Sequence, residues 1–89
     1  MLFMVIETFG RDPKAVSRRF QEKGRQMPQG LDYVDSWIAA DFGRCFQLMR
    51  CEDVTLLQQW VAEWSDLASF EIVPVAASRE TAAAMGGRF

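Results

Sequence analysis

Six segments alternating between strand-like and helical hydrophobic periods predict an α+β fold of the ferredoxin-like βαββαβ type. Three observations carry this prediction. The apolar period switches between about two and about 3.6 residues in the order strand, helix, strand, strand, helix, strand. Each helical segment opens on an aspartate placed to cap it. The two middle strands are joined across the short segment Asp41-Phe42-Gly43.

The first strand runs from Met1 to Phe9. A helix is expected from Pro13 to Met27, where Asp12 can accept from the opening amides and Pro13 occupies a position whose missing N–H costs nothing. Val16, Phe20, Gly24 and Met27 form its inward stripe. Lys14, Arg18, Arg19, Lys23 and Arg25 lie largely off that stripe, either as a solvated face or, for Arg25 or Arg18, as an anion-facing group. Gly24 inside a helix predicts close approach to the sheet or room for a ligand, and Pro28 and Gly30 end the segment.

Strands from Leu31 to Ala40 and from Arg44 to Cys51 follow. The second helix, Val54 to Leu67, opens at Asp53 and carries Leu57, Trp60, Val61 and Trp64 on its apolar stripe, widened by Leu56 and Leu67. Its two tryptophans one turn apart read as core rather than as a cofactor box. The last strand, Phe70 to Ala76, contains Pro74 and is therefore an edge strand. Ser78, with Glu80 behind it, is placed to cap a short final helix through Met85. The expected sheet is antiparallel, in strand order 4-1-3-2, with both long helices on one face.

Simple alternation puts Leu2, Met4, Ile6, Val34, Ser36, Ile38, Phe46, Leu48 and Ile72 on one sheet face. The other face carries Phe3, Val5, Glu7, Tyr33, Asp35, Trp37, Cys45, Gln47, Met49, Glu71, Val73 and Val75. Two helices cover only one face of an open sheet, so the first, more apolar face is expected to meet a second copy of the chain. The mixed face is where chemistry is expected, since polar groups among aromatics are what a small-molecule pocket needs.

The 89 residues make one domain, 1–89, and 49% of them are hydrophobic, a surplus that oligomerisation commonly covers. A net charge of −2 supplies no basic field for nucleic acid or an anionic membrane, and neither is expected as a partner. The opening Met1-Leu2-Phe3-Met4-Val5-Ile6 lacks a basic flank and runs into Glu7, so it reads as a strand rather than a leader. There is no histidine, which excludes Ser-His-Asp and Cys-His catalysis, a His-ligated haem and His-containing zinc sites. Neither a C-x-x-C loop nor a Gly-rich phosphate loop occurs, and Arg44-Cys45-Phe46-Gln47-Leu48-Met49-Arg50 does not match an RNA-binding strand. No metal and no cofactor are expected. Cys45 and Cys51 fall on one strand about 20 Å apart, too far to pair, and two free thiols fit a reducing, cytoplasmic setting.

With these residues in view, the chain resembles the family catalogued as domain of unknown function 3303. Met1 to Glu7, Gly30-Leu31-Asp32-Tyr33-Val34-Asp35-Ser36-Trp37, Arg44 to Met49 and Phe70-Glu71-Ile72-Val73-Pro74-Val75 carry the resemblance over nearly the whole chain. More distantly it is similar to the dimeric α/β-barrel superfamily, which includes cofactor-independent monooxygenases, muconolactone isomerases and haem-degrading enzymes. That similarity implies protomers packed sheet to sheet, with a pocket between sheet and helices in each. The helix histidine of haem-degrading relatives has no counterpart here.

Two functions are expected to compete. One is a small-molecule-binding protein or cofactor-independent enzyme, monooxygenase- or isomerase-like, acting on an apolar or aromatic compound. Glu7 or Asp35 is then the base, Tyr33 the donor to a developing oxyanion, Trp37 a stacking wall, and Gln47 and Arg25 further ligand-binding groups. The other is a non-enzymatic dimeric interaction module. An enclosed cavity touching at least three of Glu7, Tyr33, Asp35, Trp37 and Gln47 favours the first. Glu7 is expected to border a cavity and titrate above its ordinary value unless Arg25 reaches it.

Overall fold

A computed structural model describes residues 1–88 as β1 (Leu2–Phe9), α1 (Pro13–Lys23), β2 (Asp32–Ile38), β3 (Arg44–Arg50), α2 (Val54–Trp64), β4 (Ala68–Val75) and α3 (Ser78–Met85). The four strands form one antiparallel sheet in the order β2-β3-β1-β4, the expected order read from the opposite edge. Pro74 lies on the edge strand β4. The fold is the expected α+β, ferredoxin-like arrangement, with α3 added after β4.

The helices start where their caps dictate. Asp12 accepts from the Lys14 amide at 3.1 Å and holds the Arg18 guanidinium at 2.9 Å. Asp53 accepts from the Thr55 amide at 2.9 Å and its hydroxyl at 2.7 Å. A cap of this kind contributes about 1 kcal/mol. Helix α3 departs from expectation at its start, because Ser78 is already helical and no side chain caps it.

The core lies between the sheet and α2. Phe3 and Val5 of β1, Met49 of β3 and Leu57, Trp60 and Trp64 of α2 form one buried cluster with Leu31 and Cys51. Trp60 meets Phe70 of β4 edge to face, with ring centroids 6.1 Å apart. Leu57 is fully buried, and truncating such a residue to alanine costs about 2–5 kcal/mol.

Three expectations are corrected. First, α1 ends at Lys23 and not at Met27. Gly24 has φ 67° and its amide donates to the Phe20 carbonyl at 2.7 Å, so this glycine closes the helix. A Cβ on it would meet nothing within 4 Å, so close packing does not explain it, and it does not line the cavity beneath α1. Second, the pairing of β2 with β3 shifts between Tyr33 and Asp35. One extra residue flips the strand's faces beyond that point. Ser36 and Ile38 therefore face the same way as Gln47 and Cys45, whereas Asp35 and Trp37 accompany Leu48 and Phe46 on the open face.

Third, β4 carries the reverse of its expected faces. Phe70, Ile72 and Pro74 oppose Glu7, Val5 and Phe3 beneath the helices. Glu71, Val73 and Val75 oppose Ile6, Met4 and Leu2 on the open face. Both parities of β4 contain apolar residues, so alternation alone carries no register there.

Candidate functional site

Helix α1 stands off the sheet. None of its residues is fully buried, and Phe20 on its expected inward stripe remains 44% exposed. Beneath it lies a half-open cavity of about 280 Å³. The sheet supplies Glu7 and Phe9 from β1, Ser36 and Ile38 from β2, and Cys45 and Gln47 from β3. Pro13, Val16, Ser17 and Phe20 of α1 form the roof, Trp60 and Trp64 of α2 a wall, and Arg25 joins from the turn after α1.

That turn is held from α2. The indole N–H groups of Trp60 and Trp64 both donate to the Arg25 carbonyl, at 2.8 and 3.1 Å. Gly24 before it and Gln26 after it both have positive φ, at 67° and 57°. Left-handed backbone at a non-glycine residue such as Gln26 persists where surrounding contacts fix it. The paired tryptophans are thus core residues, as expected, and also the clamp that sets Arg25 at the cavity. A second tie joins the helices where Arg19 grips Asp66 with two hydrogen bonds, at 2.7 and 2.6 Å, and donates to the Glu63 carbonyl at 2.9 Å.

Two polar side chains on the cavity floor are buried and lack a hydrogen-bond partner among the described residues. Glu7 is 5% exposed and Gln47 8% exposed. No buried side-chain nitrogen or oxygen among the described residues is both sealed from solvent and unpartnered, so the polar ends of these two open into the cavity. Burial pushes the Glu7 carboxyl from 4.5 up to about 7. Arg25 does not pair with it.

The Arg25 guanidinium instead lies 3.8 Å from the centroid of the Tyr33 ring and 5.2 Å from that of Phe20, and no carboxylate among the described residues pairs with it. Cys45 lies close enough to feel both charges. Burial, reinforced by Glu7 and opposed by Arg25, pushes its thiol up to about 11, which makes it a poor nucleophile at neutral pH.

Of the five mixed-face residues expected to surround an enclosed pocket, the half-open cavity touches only Glu7 and Gln47, short of the three that favour a binding protein or enzyme. Tyr33 keeps the helix side of the sheet, but it lies beneath Arg25 and its hydroxyl is bonded to Ser36 Oγ at 2.5 Å. Asp35 and Trp37 lie across the sheet, and an Asp35 oxygen accepts the Ser36 amide at 2.8 Å. The bulge exchanges these two for Ser36 and Ile38. No local signal marks the exchange, because Tyr33-Val34-Asp35-Ser36-Trp37-Ile38 alternates equally well in either frame and only the partner strand reveals the slip. Phe20 and Val16 were legible as an inward stripe.

The arrangement suits proton transfer to or from a bound molecule. A carboxyl group poised near neutrality sits in aromatic surroundings beside an amide, a hydroxyl and a cation. Among the described residues, no three His, Cys, Asp or Glu side chains gather as a metal-binding group, and no helix is long and apolar enough to cross a membrane. No curated protein and no solved structure matches the chain. A family model matches residues 1–89 throughout, and the chain belongs to the family described as Domain of unknown function (DUF3303).

Proposed function

We propose that this protein binds a small apolar or aromatic molecule in the cavity under α1, and that Glu7 exchanges a proton with it in a cofactor-independent reaction of monooxygenase or isomerase type. One observation carries the reading: a buried carboxyl, without a partner among the described residues and raised to about 7, opens into a cavity walled by Phe20, Trp60 and Trp64. A folded chain does not leave such a group unsatisfied without cost, and a ligand that bonds to it removes that cost. Of the two carboxylates expected as base, Glu7 takes the role, since Asp35 points away across the sheet. Tyr33 acts on the ligand through Ser36 and Arg25 rather than directly.

The same proposal includes pairing of two copies through the open sheet face, as in the dimeric α/β-barrel superfamily, in a reducing, cytoplasmic compartment suited to two free cysteines. Leu2, Met4, Ile6, Phe46, Leu48, Val73 and Val75 lie side by side on that face, with Trp37 48% exposed beside them. Both charge signs flank them, Asp35 and Glu71 as well as Arg44 and Arg50, which is compatible with a self-complementary contact. This exposed face also supports the competing reading, a non-enzymatic dimeric interaction module.

Methyl NMR separates the two. One- and two-ring aromatic compounds should shift the Val16 and Ile38 methyl signals, and Val16→Trp, which fills the cavity, should abolish the shifts. If neutral, anionic and cationic aromatics all leave those methyls unmoved, the cavity is no binding site and the interaction-module reading stands.

A further inference from the structure

The cavity's ligand class is written in its two charged side chains. Only Glu7 and Arg25 among its lining residues can carry charge in the neutral range, and they share the wall of one small cavity without forming an ion pair. The effect of Arg25 is felt at Cys45 but does not draw the Glu7 carboxyl down. A guanidinium presents five N–H donors in a planar fork. Here the guanidinium carbon lies over the Tyr33 and Phe20 rings, and its N–H donors have no protein acceptor among the described residues.

Several contacts hold that fork in place. The guanidinium lies against the Tyr33 and Phe20 rings, while the two indoles fix the backbone of the same residue through its carbonyl. A side chain held in this way loses little further freedom when an anion arrives, which is the advantage of a preorganised site. In the same cavity, Gln47 supplies a buried amide with no bond among the described residues, and Ser36 a hydroxyl.

We infer that the ligand is a small organic acid, an aromatic or branched apolar skeleton bearing a carboxylate, with the carboxylate on the Arg25 fork and the skeleton against Phe20, Trp60 and Trp64. This rests on the proposed binding role of the cavity and specifies its substrate class. The remaining polar end of such a molecule lies toward Gln47 and Glu7. The cavity, at about 280 Å³, sits just below the range typical of drug-sized ligands, which favours a skeleton of one or two rings.

The test uses three probes of one shape: 2-naphthoate, 2-naphthamide and 2-naphthylmethylammonium, titrated into the full chain at low salt and followed by tryptophan fluorescence. Naphthoate should bind on the order of tenfold to a hundredfold more tightly than the amide, the ammonium most weakly, and salt should narrow the difference. Arg25→Gln should bring naphthoate affinity down to that of the amide. Arg25→Lys, which keeps the charge but not the fork, should retain only part of the preference. Equal binding of naphthoate and amide to the wild type, or a preference that survives Arg25→Gln, overturns the acid assignment and leaves the cavity's binding role intact. Failure of all three probes to bind overturns both.

Discussion

Glu7 is the residue on which the chemistry turns, and its protonation sets a pH dependence of the whole fold. Its carboxyl titrates at about 7 in the folded chain against an ordinary 4.5, so between these values the folded form holds a proton that the unfolded form has lost. The stabilisation from the neutral form is complete below about 4.5 and disappears as pH rises through about 7. A shift of one pKa unit corresponds to about 1.4 kcal/mol. With water reaching the group through the cavity mouth, a total of about 2 kcal/mol is expected. Denaturant midpoints of Glu7→Gln measured from pH 4.5 to 8 should therefore lack this decline, and the variant should be the more stable chain at pH 8. A wild-type midpoint flat across that window contradicts the assignment.

Cys45 offers a second probe at the same scale. Its raised thiol, like that of the buried Cys51, should react slowly with a thiol reagent in the native state and rapidly in denaturant. Because Cys45 lines the cavity, a bound aromatic acid should slow it further while leaving Cys51 unaffected. Fast native labelling of either thiol contradicts the burial described above. Glu7 itself was legible in the sequence as a lone carboxylate in an apolar strand. Gln47 was legible from the same parity, because no irregularity separates β1 from β3.

At the scale of elements, caps and periods were legible and registers were not. Asp12 and Asp53 mark true helix starts because a cap is a contact between near neighbours in the chain. Asp53→Ala should cost about 1 kcal/mol, read as a lower denaturant midpoint with unchanged slope. A midpoint unchanged by the substitution contradicts the cap's role. The bulge in β2 and the frame of β4 depend instead on partners distant in sequence, and strands with apolar residues in both frames do not announce them. That is why Asp35 and Trp37 were expected at the pocket and lie outside it. Gly24 marks the end of α1 locally, whereas the turn at Arg25 beyond it depends on Trp60 and Trp64, more than thirty residues away, whose indoles hold it.

For the molecule as a whole, the sheet divides two tasks. One face, with α2 pressed on it and α1 standing away, holds the core and the cavity. The other exposes an apolar surface that a second copy is proposed to cover. Phe46→Glu, at the middle of that surface beside Ile6 and Trp37, should turn a dimer into monomer or aggregate in sedimentation. A wild-type chain that sediments as a stable monomer at micromolar concentration contradicts the pairing but leaves the cavity untouched.

The central claim is that a carboxyl group faces a cavity built to bind, and the Glu7 carboxyl carbon reports on it directly. Carbon-detected NMR titration of Glu7 should give an apparent pKa near 7. Saturating 2-naphthoate, which brings a second negative charge into the cavity, should shift that titration upward. A pKa at or below the ordinary 4.5, unchanged by the naphthoate, would contradict both the burial of Glu7 and its place in a ligand site.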